Sequence, residues 1–238
     1  MNQTEITAVI PVYNDRVSLK EAIPRSLNEL EIISEQFELI IAEDGSTDGS
    51  PDLVKNYAQR DPRVRLLHSD KRLGRGRALN NAFSAAYGTI VCYYDVDLAT
   101  DMHYLPALID AIREGYDIVT GSRLMPESDV VRTGEREIAS LGYNLLVKMF
   151  LRSPLHDHQC GFKAFQRDRV LALIPSVRAS HWFWDTELLV RAQRAGYKIK
   201  EIPVRWHQGK GTTVKMKDVW EMGTEIFRLW WHLHVSKD

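Results

Sequence analysis

The stretch TIVCYYDVDLATD, residues 89–101, joins an uncharged run to two closely spaced carboxylates. No charged residue occurs from Thr89 to Tyr94, which is typical of a short buried strand, and Asp95 and Asp97 follow directly. Residues i and i+2 of an extended segment point to the same side, roughly 6–7 Å apart. The sequence therefore predicts that both carboxylates serve one centre at the end of a strand.

Two carboxylates placed this close raise each other's pKa, and a bound cation removes that penalty. Oxygen ligands favour a hard ion, so we expect Mg²⁺ or Mn²⁺ at Asp95 and Asp97, shared with substrate phosphates. Alone, however, a D-x-D pattern is weak, because solvated turns carry the same residues. Its weight depends on what the other strand ends carry.

The first half of the chain alternates short apolar runs with longer amphipathic segments. The predicted strands are 6–13, 37–44, 64–69, 89–95 and 116–121, and the predicted helices lie near 18–34, 50–60, 76–87 and 104–114. This alternation predicts an α/β fold with a mostly parallel sheet, which places ligands at the carboxyl ends of the strands. After residue 122 the pattern loosens into polar loops, with helices near 136–151, 185–195 and from about 215.

Length and composition favour one large domain and argue against a nucleic-acid partner. The chain has 238 residues, 44% of them hydrophobic, enough to bury a sizeable core. Lys and Arg total 31 against 32 Asp and Glu, so no basic field indicates nucleic acid. Cys92 and Cys160 suit a reducing compartment. No N-terminal signal or apolar run of roughly 18 residues is visible, so we expect a cytoplasmic or peripheral protein.

Acidic side chains also end the first two predicted strands. IPVYND closes the first, and EDGSTDGS, residues 43–50, closes the second. Glu43 and Asp44 can accept hydrogen bonds from a base N–H or a ribose hydroxyl. The same residues also read as a good turn, with Asp48 or Ser50 capping the next helix, and that interpretation needs no ligand.

A basic, glycine-containing segment precedes the third predicted helix. KRLGRGRALN, residues 71–80, has four basic residues and two glycines. Backbone N–H groups at a helix start, with Arg75 and Gly76 among them, make a site for phosphate. The segment is neither a Walker motif nor a complete dinucleotide fingerprint, and a solvated basic loop is the alternative interpretation.

Seven blocks occur in the order seen in family 2 glycosyltransferases of GT-A fold, and together they cover roughly residues 5 to 213. The branch that they resemble is the polyprenyl- or dolichyl-phosphate sugar synthases, and the D-x-Q-C-G-F-K pattern is most similar to dolichyl-phosphate beta-glucosyltransferase. The blocks are IPVYND, EDGSTDGS, RLGRGRALN, YYDVDLATD, GSR, QCGFKAF and WFWDTELL...EIPVRW. The resemblance implies a Rossmann-like, mostly parallel sheet flanked by helices.

The resemblance and the residue patterns together assign the candidate site. The predicted metal-binding residues are Asp95 and Asp97. Catalysis falls to Asp95, Asp97, Arg123 and Asp185. The nucleotide-sugar site comprises Pro11, Tyr13, Asn14, Glu43, Asp44, Arg75, Gly76 and Asp95. The acceptor phosphate site comprises Arg123, Arg136, Gln159, Lys210 and Lys215; the last two are included because Thr213 stands where the family commonly has a Lys.

The implied reaction is inverting transfer of a hexose from a nucleotide sugar to a polyprenyl or dolichyl monophosphate. UDP-glucose is the favoured donor and GDP-mannose the alternative, because Ala99 stands where mannose synthases often carry a Gln. A phosphate monoester is largely dianionic at pH 7, so no strong general base is required. Two other interpretations remain: transfer to a saccharide hydroxyl with Asp185 as base, and nucleotide binding without catalysis. His156-x-His158 fits loop histidines better than a zinc site.

The C-terminal segment 214–238 is predicted as an amphipathic helix that adds to a catalytic domain of residues 1–213. On a helical wheel of residues 215–235, apolar side chains cover roughly 200°, more than packing on one partner needs. Trp220, Trp230 and Trp231 suit a membrane interface. We expect contact with a membrane surface, at the cytoplasmic face that the resemblance implies, and a homodimer interface is the alternative.

Overall fold

A computed structural model describes residues 4–131, 134–207 and 216–235, without the side chains of 134–139 and 216–221. Its strands are β1 (Ile6–Val12), β2 (Phe37–Glu43), β3 (Val64–His68), β4 (Ile90–Tyr94), β5 (Ile118–Ser122), β6 (Asp129–Val131), β7 (Phe162–Gln166), β8 (Ile199–Pro203) and β9 (Arg205–His207). Its helices are α1 (Arg16–Ile33), α2 (Ser50–Arg60), α3 (Arg75–Ser84), α4 (Leu105–Arg113), α5 (Gly134–Leu151), α6 (Arg167–Leu173), α7 (Trp184–Arg194) and α8 (Met216–His234).

The main sheet has seven strands in the order β3-β2-β1-β4-β7-β5-β8. Only β7 runs antiparallel to its neighbours within this sheet, so the predicted mostly parallel α/β fold is confirmed. The predicted strands in the first half lie within two residues of the observed ones. Strands β6 and β9 form a separate parallel pair.

The interpretation of the chain after residue 122 as loops and helices was incomplete, because β7 and β8 complete the main sheet there. Strand β7 is hidden in the sequence by Lys163, whose side chain is fully buried between Phe162 and Ala164. A charged residue in a buried strand breaks the apolar run that normally signals such a strand. The consequence is functional, since β7 lies directly beside β4, the strand that leads into Asp95.

The three acid-bearing strand ends are neighbours in space. Strand β1 pairs with β2 on one side and with β4 on the other, and all three run in the same direction. The chain first builds outward from β1 to β2 and β3, and then crosses to β4. The reversal of strand order leaves a crevice at the carboxyl ends of β1 and β4, the usual place for a ligand in an open α/β sheet.

Two apolar layers cover the sheet and a third cluster carries the C-terminal helix. One layer holds α1 and α4, and the other holds α3, α6 and α7. An aromatic group of Phe83, Tyr93, Phe165 and Trp184 lies within the second layer, with ring centroids 5.5 to 6.2 Å apart. Helix α8 packs on α5 and α7 through the third cluster. In the part of the chain that is described, no helix has the length and apolar character needed to cross a bilayer.

Candidate active site

Asp95 and Asp97 lie in a tight turn that directly follows β4. The turn is closed by a hydrogen bond from the Leu98 N–H to the Asp95 carbonyl oxygen at 3.1 Å, and Leu98 has a left-handed φ of 47°. The extended geometry expected for the pair is therefore wrong, because β4 ends at Tyr94. The turn still keeps the two carboxylates within electrostatic range of each other.

The chemistry of this pair fits a divalent cation. Surrounding protein raises the pKa of Asp97, although part of its side chain is exposed, and the charge of Asp95 raises it further. A cation between the two would relieve that repulsion. Among the described residues no group of three or more His, Cys, Asp or Glu is arranged to hold a metal. Two carboxylates that leave the remaining positions to water and phosphate oxygens are typical of Mg²⁺ and Mn²⁺ sites.

Gly161, the residue immediately before β7, sets the position of Asp95. The backbone N–H of Asp95 donates to the Gly161 carbonyl oxygen at 3.1 Å. A Cβ atom built on Gly161 would overlap the carboxylate of Asp95 itself. The glycine of the QCGFK block is therefore required by the close approach of Asp95, a contact that no pattern in the sequence indicates.

Arg75, at the first residue of α3, connects the two acidic groups of the site. Its Nη2 donates to Asp95 at 2.8 Å and its Nη1 to Asp185 at 2.7 Å. The guanidinium lies over the rings of Tyr93 and Trp182, at 5.1 and 5.7 Å. Gly76 allows the start of the helix to approach Trp184, because an added Cβ would lie 2.7 Å from the indole ring. The candidate phosphate-binding segment is thus packed against the D-x-D turn.

Asp185 is buried and fully engaged by cations and a hydroxyl. The Nζ of Lys163 lies 3.2 Å from one carboxylate oxygen, which also accepts a hydrogen bond from the Tyr93 hydroxyl. Burial acts to raise the pKa of Asp185, but Lys163 and Arg75 outweigh it and hold the pKa below the ordinary value. These contacts weigh against the predicted role of Asp185 as a base. Sequence reasoning missed Lys163, for which the only signal is a lysine between aromatic residues in GFKAF.

Glu43 and Asp44 shape the loops around the crevice. The Glu43 carboxylate accepts a hydrogen bond from the Ser46 N–H and contacts Nδ1 of His68. The Asp44 carboxylate accepts from the N–H groups of Leu73 and Gly74, at 2.7 and 2.9 Å. Both side chains are buried, so their first role is to hold backbone in place. Direct contact with a nucleotide remains a prediction for both.

The loop after β1 carries the other predicted nucleotide-binding residues. Pro11 is buried in β1, whereas the Tyr13 ring is 40% exposed with the Arg72 guanidinium 4.1 Å from its centroid. Asn14 has a left-handed φ of 51°, which Asn tolerates better than most residues, and its side-chain oxygen accepts from the Thr47 N–H at 2.8 Å. The loops after β1 and β2 therefore form one connected wall.

The predicted acceptor residues are only partly brought together. Nε and Nη2 of Arg123 donate to Asp157 at 2.6 and 3.0 Å. Burial lowers the pKa of Arg123, but Asp157 outweighs it and, with a smaller contribution from Asp95, raises it above the ordinary value. Gln159 instead donates to the Met222 sulfur on α8 at 2.8 Å. Arg136 lies on α5 in the part without described side chains, and Lys210 and Lys215 lie outside the described residues.

The metal-binding turn is joined to the acceptor side by backbone pairing. The His207 N–H donates to the Ala99 carbonyl oxygen at 2.9 Å, and the Asp101 N–H donates to that of Arg205 at 3.0 Å. Strand β9, which carries Arg205 and His207, also pairs with β6. The parallel pair of β6 and β9 therefore holds the segment after Asp97 on the side of the site that carries Arg123.

The sequence profile of Glycosyl transferase family 2 matches residues 7–171. The chain belongs to glycosyltransferase family 2. Glycosyltransferase AglD of Haloferax volcanii is 47% identical over 235 residues, covering 97% of this chain but 38% of that protein. Dolichyl-phosphate beta-glucosyltransferase ALG5A of Trichomonas vaginalis is 30% identical, covering 94% of this chain and 72% of that protein. The resemblance found in the motifs is thereby confirmed.

Solved structures support the fold of this family 2 glycosyltransferase. Glucosyl-3-phosphoglycerate synthase of Mycobacterium tuberculosis, crystallised with Mn²⁺, UDP and glucosyl-3-phosphoglycerate, superposes with a TM-score of 0.70. The match covers 100% of this chain and 82% of that chain at 18% identity. Another structure of the same synthase contains Mg²⁺ and UDP. At this level of identity the likeness establishes the GT-A fold alone.

The two histidines of the H-x-H pattern have separate partners. His156 is exposed and its Nδ1 lies 2.9 Å from Glu201. His158 is buried, with Asn144 at 2.7 Å on one ring nitrogen and Ser153 at 2.6 Å on the other. Burial lowers the pKa of His158 to about 4. The arrangement fits a structural histidine that is held neutral.

We expect Gly161→Ala to weaken metal binding while the protein still folds. The atoms nearest to the added methyl group all belong to the Asp95 carboxylate, which the methyl group displaces. Calorimetric titration with Mn²⁺ should show affinity lowered by about tenfold or more, in line with the loss of well-placed metal ligands. Gly115→Ala is a control for the added methyl, since it meets no neighbour there, although its φ of 98° adds strain. Wild-type Mn²⁺ affinity in Gly161→Ala would contradict this placement of Asp95.

The neutral state of His158 predicts a loss of stability in acid. The unfolded chain takes up a proton below about pH 6.5, whereas the folded protein keeps His158 neutral down to about pH 4. Stability should therefore fall by about 2–3 kcal/mol as pH decreases from 7 to 4.5. Urea unfolding at several pH values measures this slope. His158→Gln should unfold with a flatter pH dependence, and equal slopes for the two proteins would reject the assignment.

Proposed function

We propose that this glycosyltransferase transfers a hexose, with glucose favoured, from a nucleotide sugar to a polyprenyl or dolichyl monophosphate with inversion at the anomeric carbon. The observation that carries the proposal is the placement of charge at one sheet edge. Asp95 is paired with Arg75 and lies within electrostatic range of both Asp97 and Arg123. Such a site can hold two phosphate-bearing substrates beside one divalent cation.

The names of the relatives support a lipid phosphate acceptor. Relatives from Trichomonas vaginalis and Saccharomyces cerevisiae are named dolichyl-phosphate beta-glucosyltransferases, and this chain covers 72% and 69% of their lengths. The chain spans only 38% of the length of AglD. Glucose is favoured by these names together with Ala99, and GDP-mannose remains the alternative donor.

In the proposed reaction, an oxygen of the lipid phosphate dianion attacks the anomeric carbon of the sugar. The bond from that carbon to the diphosphate oxygen breaks, and its electron pair leaves with the nucleoside diphosphate. Mg²⁺ or Mn²⁺ held by Asp95 and Asp97 would supply charge neutralisation for the departing diphosphate. Arg75 and Arg123 hold the two anionic groups in line, which is the main requirement when the nucleophile is already ionised.

A saccharide hydroxyl as acceptor fits the contacts less well. Such a nucleophile needs a base near the reacting oxygen. Asp185 has a lowered pKa, and both of its oxygens are engaged by Arg75, Lys163 and Tyr93. A lipid phosphate needs no such base, and this difference favours the first reaction.

The exposed faces of α5 and α8 form an apolar surface that the proposal assigns to the membrane. Among its described side chains, helix α8 buries Met222, Ile226 and Leu229 against the domain and leaves Phe227 and Trp231 exposed. Helix α5 contributes more of this surface than the sequence indicated. The exposed residues are Leu141, Leu145, Leu146, Met149 and Phe150 on α5, with Phe227, Trp231 and Val235 at α8.

Exposed apolar surfaces of this kind usually contact a partner, and a lipid substrate makes a bilayer the partner that fits best. Trp231 is half exposed, Trp230 is partly buried against Phe227 and His234, and the side chain of Trp220 is not described. Peripheral attachment at the cytoplasmic face agrees with buried, unpaired Cys92 and Cys160. A homodimer through the same surface is the alternative.

We expect the protein with Mn²⁺ or Mg²⁺ and polyprenyl phosphate to move label from UDP-glucose into the organic phase. Label from GDP-mannose should appear more slowly. Asp97→Asn should lower the rate by about 100-fold or more, because it removes a charged metal ligand without changing volume. Asp168→Asn, at a largely exposed position, is the matched control. Full activity in excess EDTA, or of Asp97→Asn, would reject the metal role.

We expect Phe227→Ser combined with Trp231→Ser to weaken binding to liposomes by about 10- to 100-fold, because two large apolar side chains lose their burial. Transfer to long polyprenyl phosphate should fall with it, while transfer to a short, water-soluble analogue should stay nearly intact. Val17→Ser with Ile32→Ser, exposed on α1, is the control. Unchanged liposome binding with a shift from dimer to monomer in size exclusion would favour the dimer instead.

A further inference from the structure

A row of alternating charges runs from the interior of the protein to the candidate metal site. It begins at Lys163, which is fully buried on β7, and continues through Asp185 and Arg75 to Asp95. The side chain of Asp95 is 43% exposed, whereas that of Arg75 is only 14% exposed. The row therefore joins a buried cation to the open end of the site through direct ion pairs.

We propose that Asp185 and Lys163 are positioning residues that present Arg75 to the diphosphate of the nucleotide-sugar donor. This inference rests on the proposed function, since it needs a nucleoside diphosphate donor. Arg75 is the group that touches the substrate. Asp185 holds one end of its guanidinium, and Lys163 holds Asp185.

The contacts around Arg75 leave its guanidinium able to bind a further anion. The rings of Tyr93 and Trp182 contact the guanidinium, with centroids 5.1 and 5.7 Å from its central carbon, and limit its movement. Its Nε is buried and has no hydrogen-bond partner among the described residues. Arg75 is also the first residue of α3, and the dipole at a helix N-terminus favours negative charge. A guanidinium in a fixed plane matches phosphate geometry better than a mobile cation.

Lys163 explains how Asp185 can serve as an anchor in a buried position. A buried carboxylate with one partner is costly, and a second cation offsets its desolvation. Lys163 also donates a hydrogen bond to the carbonyl oxygen of Cys160, the residue immediately before Gly161, and Gly161 faces Asp95. Asp185 is thus shared between Lys163 and Nη1 of Arg75, and Nη2 of Arg75 donates to Asp95 at 2.8 Å.

Calorimetric titration of UDP, and separately of GDP, in saturating Mn²⁺ tests this role on the whole chain, with Mn²⁺ alone as a second probe. Asp185→Asn and Lys163→Met should each weaken nucleotide binding by about tenfold, the effect of losing an ordered charge-assisted contact. The double variant should bind nearly as Asp185→Asn does, because Lys163 acts through Asp185. The affinity for Mn²⁺ alone should change by less than about threefold, and the donor KM should rise more than kcat falls.

The double variant also provides the test if Asp185→Asn folds poorly, because it leaves no unpaired lysine in the interior. Phe165→Leu, on the same strand and packed against Tyr93, is the control for general loosening and should lower Tm without weakening nucleotide binding. Unchanged nucleotide affinity with a reduced kcat and a shifted pH profile would make Asp185 a base and overturn the inference. Additive losses, or equal losses for Mn²⁺ and nucleotide, would also overturn it. A wild-type protein that binds neither nucleotide would instead reject the proposed function, and the inference with it.

Discussion

The contact of Gly161 with Asp95 is the constraint on which the site depends. Strand β7 runs antiparallel to β4, and the residue before β7, Gly161, lies against the carboxylate of Asp95, the residue after β4. The same strand then carries Lys163 into the interior toward Asp185. One antiparallel insertion thus sets the position of an open carboxylate and supplies the cation for a buried one.

The acids at this sheet edge fall into two groups that differ in what already binds them. Glu43 and Asp44 accept backbone N–H groups, and Asp157 and Asp185 are paired with cations. Such groups are held in place because a buried carboxylate without partners is strongly disfavoured. Asp97 differs, since burial and Asp95 raise its pKa and no side-chain cation is paired with it among the described residues. The unrelieved charge is what makes a divalent ion the natural partner.

The fold also connects this family 2 glycosyltransferase site to its surroundings. Backbone pairing of residues 99–101 with β9 joins the D-x-D turn to the segments beside Arg123. Gln159 reaches α8 through Met222, and α8 in turn packs on α5 beneath the exposed apolar surface. Donor side, acceptor side and the proposed membrane surface are therefore joined by short, direct contacts within one body.

The sequence by itself determined the alternating first half of the sheet, the acids at its strand ends and the family, because each rests on local periodicity or on ordered motifs. Local sequence pattern indicates only whether a residue's own element is buried. It therefore could not identify β7, in which the charged side chain of Lys163 is buried. Tertiary structure alone decided which acids stay open, since the partners of Asp185 lie 92 and 110 residues away, at Tyr93 and Arg75. It also decided that α5 shares the exposed apolar face with α8. Whether a carboxylate binds a metal or anchors a loop depends on the cations and N–H groups folded against it, and the topology of the sheet sets that.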